Sequence, residues 1–163
     1  MEKDFDRLVR DRHESLRRAS LALVRNTADA EDLVQATWVK AYRARQCVLA
    51  AEDPSAYLHR ILINTSRSLR RVHWPTMRNP RPADFSQDDY ALVDDRLSVY
   101  AALRLLPRAQ REAVVLRYLV GLTEREVATV LGCPDGTVKS RTSRGLAGLR
   151  TSLPRDSFEK ERN

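Results

Sequence analysis

The stretch LTEREVATVLGCPDGTVKSRTSRGLAGLR (residues 122–150) decides the reading of this chain. Thr123 is followed three residues later by Glu126, a capping box that opens a helix burying Val127, Ala128 and Leu131. Gly132 stops that helix, and Gly132-Cys133-Pro134 leaves only a tight turn before a last helix over residues 135 to 149. Two short helices joined by a glycine-containing turn make a helix-turn-helix. In the last helix Val138, Thr142, Gly145, Leu146 and Leu149 share one face, and Gly136, Lys139, Ser140, Ser143 and Arg144 share the other. Lys and Arg on that outer face can neutralise phosphates and reach guanine O6 and N7, and the two serines are short enough to let the helix approach base edges.

Upstream of this motif the spacing predicts a helix over residues 108 to 120 that buries Val115, Tyr118 and Leu119 and ends at Gly121. Another begins near Asp94 and runs through Leu97, Val99, Leu103 and Leu106 to a break at Pro107. Residues 74 to 93 carry Pro75, Pro80 and Pro82 followed by Asp84, Ser86, Asp88 and Asp89, without helical periodicity, and read as a flexible linker. Residues 151 to 163 read as a frayed polar tail.

The N-terminal half is helical by the same test. Phe5, Leu8, Val9, Leu16, Ala19 and Leu23 predict an amphipathic helix over residues 4 to 25. Asn26 or Thr27 caps the next helix, whose acidic first turn meets the positive end of the helix dipole. That helix reaches residue 44 and buries Ala30, Leu33, Val34, Thr37, Trp38 and Ala41. Asp53-Pro54 starts a third helix over residues 54 to 71. On it Leu58, Ile61, Leu62, Thr65 and Leu69 fall on one side, and Arg60, Asn64, Arg67 and Arg71 on the other. Residues 60 to 82 hold six arginines and no acid, whereas residues 83 to 95 hold five aspartates and no base. Asn64 sets a bidentate hydrogen-bonding group among the arginines, and Tyr57 and Trp74 flank them as rings able to stack on unpaired bases.

The fold class is therefore all-α, two small helical domains joined by a linker: 1–73, 74–93 as linker, 94–150, and the tail 151–163. A net charge of +7, from 29 Lys and Arg against 22 Asp and Glu, favours a polyanionic partner. No apolar run is long enough for a membrane helix, and the N-terminus lacks the apolar core of a signal peptide, so a cytoplasmic protein without membrane insertion is expected. Cys47 and Cys133 have no metal-ligand or disulfide-framework spacing and read as incidental thiols. His13, His59 and His73 read as surface or half-buried side chains, far from any nucleophile. No phosphate-cradling glycine loop is present. Neither catalysis nor a cofactor nor a metal is expected. On these residues alone, a stand-alone helix-turn-helix regulator and a helical adaptor with solvated basic faces remain open beside a two-domain DNA-binding factor.

Three segments together resemble a bacterial sigma factor of the small extracytoplasmic-function type in the sigma-70 family, across residues 4 to 150. DAEDLVQATWVKAYRA (29–44) resembles region 2.2, PSAYLHRILINTSRSLRR (54–71) resembles regions 2.3 and 2.4, and residues 106–150 resemble region four. The wording around Asp53-Pro54 and Asn64 is similar to an actinobacterial branch. The resemblance implies no enzyme but an initiation factor that binds core RNA polymerase, recognises two promoter elements and promotes melting.

It implies that Asp29, Asp32, Leu33 and Gln35 dock on the clamp helices of the β′ subunit, Ala36 standing where a glutamate is usual. Arg60, Asn64, Arg67, Ser68 and Arg71 would face the minus-ten element, with the loop of residues 45 to 53 capturing a flipped base. Lys139, Ser140, Ser143 and Arg144 would face the minus-thirty-five element, with Thr137 and Arg141 on phosphate. Ser143 and Thr142 depart from the family's usual larger and apolar residues, so the promoter sequence does not carry over. The β flap of polymerase and an anti-sigma factor are the remaining expected partners.

Overall fold

The computed structural model describes residues 1–73 and 95–153, with side chains described at 1–72 and 99–153. Every regular element among the described residues is helical. The first half contains α1 (Glu2–Leu23), α2 (Thr27–Arg43), α3 (Arg45–Ala50) and α4 (Pro54–His73). The second contains α5 (Asp95–Leu105), α6 (Arg108–Val114) running into a π-helical turn (Val115–Leu119), α7 (Glu124–Leu131) and α8 (Asp135–Ser152). The expected linker, the Asp94 cap, Trp74 and the tail beyond residue 153 lie outside the described residues.

Local chemistry explains where the helices start. Asn26, rather than Thr27, caps α2, its side chain accepting the Asp29 N–H at 2.8 Å. Asp53 accepts the N–H groups of Ser55 and Ala56 at 2.8 and 3.1 Å, with Pro54 at the first helical position, where no N–H is missed. The capping box forms as expected: Glu126 N–H donates to Thr123 Oγ1 at 3.2 Å and Thr123 N–H to Glu126 Oε2 at 2.6 Å. Gly132 ends α7 at φ 66°, a left-handed conformation that glycine adopts without a Cβ clash.

Several details depart from the sequence reading. Residues 45 to 50, expected within a loop, form α3. Thr151 and Ser152, placed in the tail, extend α8. Tyr118, expected in the core, is 58% exposed. The cause lies in the π turn, where the Val120 N–H donates to Val115 O at 3.0 Å, one residue further back than in an α-helix. The extra residue rotates the side chains that follow: Val115 and Leu116 stay buried while Tyr118 points out beside Arg117.

One continuous core runs through both halves, from Leu16, Leu33, Leu58 and Leu62 to Leu103, Leu116, Val127 and Val138. Helix α1 packs against α2 and α4 on one side and against α5, α6 and the π turn on the other. Its last turn contains no basic residue, so its terminal carbonyls need partners from elsewhere. Arg104 Nε donates to Leu21 O at 2.9 Å, and Arg111 donates to Leu23 O at 3.4 Å and Leu106 O at 2.8 Å. Two guanidinium groups of the second half thus face the negative end of α1. Burial pulls the Arg111 pKa down to about 10, which leaves it charged at neutral pH.

His59, expected at or near the surface, is fully buried. The stripe through Leu58 and Leu62 is not the only covered side of α4, since His59, Ile63 and Ser66, roughly 100° round the helix, are buried too. Helix α4 packs against α1, α2, α3 and α7, so only part of its circumference stays free. His59 Nδ1 lies 2.7 Å from Ser55 O; a carbonyl only accepts, so Nδ1 carries the proton and the imidazole is neutral, with Nε2 lacking a protein partner. Burial lowers its pKa below 6.5. The unfolded chain therefore takes up a proton that the folded chain refuses, and stability falls as pH drops below about 6.5, at up to about 1.4 kcal/mol per pH unit. Urea midpoints at pH 7.5 and 5.5 are expected to show this loss, and His59→Gln to flatten it; an equal loss in the variant places its origin elsewhere.

Candidate nucleic-acid and polymerase interface

The outer face of α8 is presented as its pattern requires. Gly136, Lys139, Ser140, Ser143 and Arg144 are exposed, and Val138, Thr142, Gly145 and Leu149 are buried. Thr142 is tolerated inside because its hydroxyl donates to Val138 O at 2.9 Å. Two glycines let α8 lie close to its neighbours: a Cβ at Gly145 would stand 2.6 Å from Val114 Cγ2, and one at Gly148 2.8 Å from Leu106 Cδ2. Thr137 and Arg141 are half-buried at the edge of this face, the Arg141 guanidinium 3.8 Å from Cys133 Sγ.

On α4 the five expected DNA-facing residues divide. Arg60, Asn64 and Arg71 are exposed, Arg60 lying over the Tyr57 ring at 5.4 Å. Asn64 lines a hollow of about 240 Å³ with Lys40, Ala44, Tyr57, Ile61 and Thr65, between α2 and α4. Ser68 is half-buried. Arg67 turns towards the second half, where Nη2 meets Glu112 Oε2 at 2.6 Å and Nε meets Oε1 at 3.1 Å. The side chain of Glu112 is only 3% exposed and also receives Arg108 at 3.7 Å. The hydrogen bonds from Arg67 hold its guanidinium still more firmly protonated than usual.

On α2, Asp32 and Gln35 are exposed, and Asp29 is half-buried in an ion pair with Arg25 at 3.0 Å. Leu33 is fully buried, as the helical stripe predicts, which corrects the docking contact implied by the resemblance: it faces the domain core and can act on a partner only by holding the helix. Val39 and Tyr42, at 51% and 46%, extend the Asp32–Gln35 face instead. Their spacing of three, four and three residues from Asp32 was the sequence signal for them, obscured because a valine and a tyrosine read as core.

Residues 8–76 match the family model for Sigma-70 region 2 and residues 96–149 that for Sigma-70, region 4. The RNA polymerase sigma-E factor of Streptomyces coelicolor is 35% identical over 157 residues, covering 92% of this chain and 86% of the relative. This chain is a sigma-70 family member of the extracytoplasmic-function type. Like its relatives, it is a transcription-initiation sigma factor. The extracytoplasmic-function sigma factor SigM of Mycobacterium tuberculosis is 34% identical over 153 residues, covering 91% of this chain and 76% of the relative. Among solved structures, the sigma factor RpoE in complex with the anti-sigma factor NepR from Bartonella quintana matches at TM-score 0.78 and 27% identity, over 94% of this chain and 99% of that one. CnrH in complex with the cytosolic domain of CnrY matches at TM-score 0.67 and 30% identity, over 93% and 88%. Neither comparison concerns a helix-turn-helix alone, since each covers more than nine-tenths of this chain.

Proposed function

We propose that this sigma factor brings core RNA polymerase to promoters, with α8 in the major groove of the minus-thirty-five element and α4 on the minus-ten element, where it promotes melting without itself catalysing a reaction. The observation that carries this reading is the exposure of Lys139, Ser140, Ser143 and Arg144 on a helix whose other face is locked against α6. In this reading Lys and Arg supply phosphate neutralisation and guanine contacts there, and Thr137 and Arg141, half-buried at the edge of the face, take flanking phosphates. Arg60, Asn64 and Arg71 form the exposed part of the minus-ten face; Ser68 and Arg67 join it at its rim.

Melting in this account is binding. A base leaving the stack costs a few kcal/mol, offset by a pocket and by phosphate contacts. The hollow beside Asn64 and Tyr57 supplies an amide and a ring for it, in place of the expected 45–53 loop, part of which is the helix α3.

Core polymerase docks on the α2 face of Asp32, Gln35, Val39 and Tyr42, with Asp29 held at its edge, through the clamp helices of β′, and the second domain docks on the β flap. An anti-sigma factor is a further partner of this reading, supported by the complexes that the similar structures contain. The site of action is the bacterial cytoplasm, where polymerase is; no described helix is long and apolar enough to cross a membrane.

Size-exclusion chromatography with purified bacterial core polymerase tests the docking face. The wild-type chain is expected to co-elute with core, and Asp32→Arg combined with Val39→Glu to elute alone with unchanged helicity. Co-elution of that variant at wild-type level overturns the assignment of the α2 face.

A further inference from the structure

The ion pair that joins α4 to α6 has a neighbour of the opposite kind. Arg67 and Glu112 form one rung between the two helices, Nη2 to Oε2 at 2.6 Å and Nε to Oε1 at 3.1 Å, so both oxygens of the carboxylate are taken. Arg70 stands one turn further along α4, and Arg108 one turn back along α6. The next rung therefore sets a guanidinium against a guanidinium. Arg70 is half-buried and has no hydrogen bond or ion pair among the described residues. Burial, and after it the charge of Arg108, holds its pKa below the ordinary arginine value. Arg108 reaches only Glu112 Oε1, at 3.7 Å, an oxygen already occupied by Arg67. Arg111 lies behind them on the carbonyls of Leu23 and Leu106, with a buried Nε that has no partner, and the charge of Arg70 adds to burial in lowering its pKa.

Four guanidinium groups thus gather around one carboxylate. Arg67 neutralises that carboxylate, and the carbonyls of α1 and Leu106 hold Arg111, which leaves Arg70 and Arg108 without an acid of their own. An arginine stripe in open water needs no counter-ion, but a half-buried guanidinium has given up part of its hydration and gained no partner for it.

We infer that Arg70 and Arg108 form an anion site between α4 and α6, taking a small phosphate-bearing anion whose oxygens bridge the two guanidinium groups. A phosphate carries close to two negative charges and several acceptor oxygens, enough to neutralise both cations and to meet each planar fork with two hydrogen bonds. The half-exposed Arg108 leaves the site open to solvent on one side. Inorganic phosphate, pyrophosphate and the phosphate end of a nucleotide share this chemistry. The site depends on how α4 and α6 meet in the chain, not on the DNA-binding roles proposed for α4 and α8. Its occupant ties the two helices together and stabilises the fold by mass action.

Isothermal titration calorimetry of the full chain in chloride buffer at constant ionic strength, with pyrophosphate as the probe, is expected to show one saturable site. Arg70→Gln and Arg108→Gln are each expected to weaken it about tenfold or more, because each removes half of the clamp. Arg18→Gln, which removes the same charge from an exposed stretch of α1, is expected to leave the affinity unchanged. Urea unfolding adds a readout that a packing defect would not give. In chloride, Arg70→Gln relieves the repulsion and is expected to be at least as stable as wild type, whereas pyrophosphate is expected to raise the unfolding midpoint of wild type and not of the variant. Inorganic phosphate and ADP in place of pyrophosphate distinguish the sources: clearly tighter binding of ADP assigns the site to a nucleotide, and equal or weaker binding assigns it to free phosphate. No saturable binding of any of the three, or equal affinities in wild type, Arg70→Gln and Arg108→Gln, overturns the site. A loss in Arg18→Gln as large as in Arg70→Gln reduces the effect to net charge and overturns it as well.

Discussion

Replacing Lys139 and Arg144 together by alanine is expected to lower holoenzyme affinity for a minus-thirty-five-dependent promoter by about a hundredfold or more, each lost base or phosphate contact costing about 1–3 kcal/mol. Both side chains are exposed on α8, and neither has a hydrogen bond or ion pair among the described contacts whose loss would disturb the fold. The variant is therefore expected to keep its melting temperature and its binding to core polymerase. The two substitutions also differ in kind. Loss of a guanine contact relaxes sequence preference at one position, whereas loss of a phosphate contact weakens all sequences alike and reduces the salt slope by about one. Filter binding over a salt series, on promoter and on scrambled duplex, separates them. An unchanged promoter affinity removes α8 from the DNA interface, and the adaptor reading with solvated basic faces then leads.

Gly145→Val is expected to destabilise the second half by about 1–3 kcal/mol, because it overpacks a closed helix contact. The new Cβ would meet Val114 Cγ2 at 2.6 Å, and Val114 is a buried β-branched side chain with few other rotamers available. The Gln110 carbonyl at 3.4 Å blocks the alternative of sliding along α6. Relief comes only if α8 moves outward, which tilts the very face that carries Lys139 and Arg144. Promoter binding is thus expected to fall along with stability. Gly136, in the same helix, has nothing within 4 Å of its Cβ position, so Gly136→Ala is expected to leave stability unchanged or to raise it by up to about 1 kcal/mol. Urea unfolding of the two variants compares them directly; equal stabilities contradict the role assigned to the close approach at Gly145.

Much of this molecule was legible because its helices announce themselves locally. Asn26, Asp53-Pro54, the Thr123–Glu126 box and Gly132 are short-range signals whose meaning does not depend on tertiary context, and each acts as read. The outer face of α8 was legible for the same reason, as one periodic stripe with one apolar side.

What the sequence concealed arises where one helix serves several neighbours. The buried His59, Ile63 and Ser66 lie off the apolar stripe of α4, and only the packing of the chain's other helices around α4 gives them a reason to be inside. Arg67 belongs by periodicity to the basic face, yet it lies at the border with the second half, and no local rule pairs it with a glutamate 45 residues away. The π turn at Val115–Leu119 shifts the register by a residue in a segment that reads as an ordinary helix, which is why Tyr118 was assigned to the core. On α2 the periodicity placed Leu33 inside, where it is, against the docking role that the family resemblance implied, whereas the outward-facing apolar Val39 and Tyr42 were not legible.

The most direct test of the central claim is run-off transcription with purified bacterial core polymerase, with and without this protein, on a fragment library of the host genome. The account predicts new, protein-dependent start sites that share two spaced upstream elements and disappear with Lys139→Ala and Arg144→Ala. Specific binding of duplex DNA by the protein alone, with no new start site in the presence of core, would contradict it and favour a stand-alone regulator.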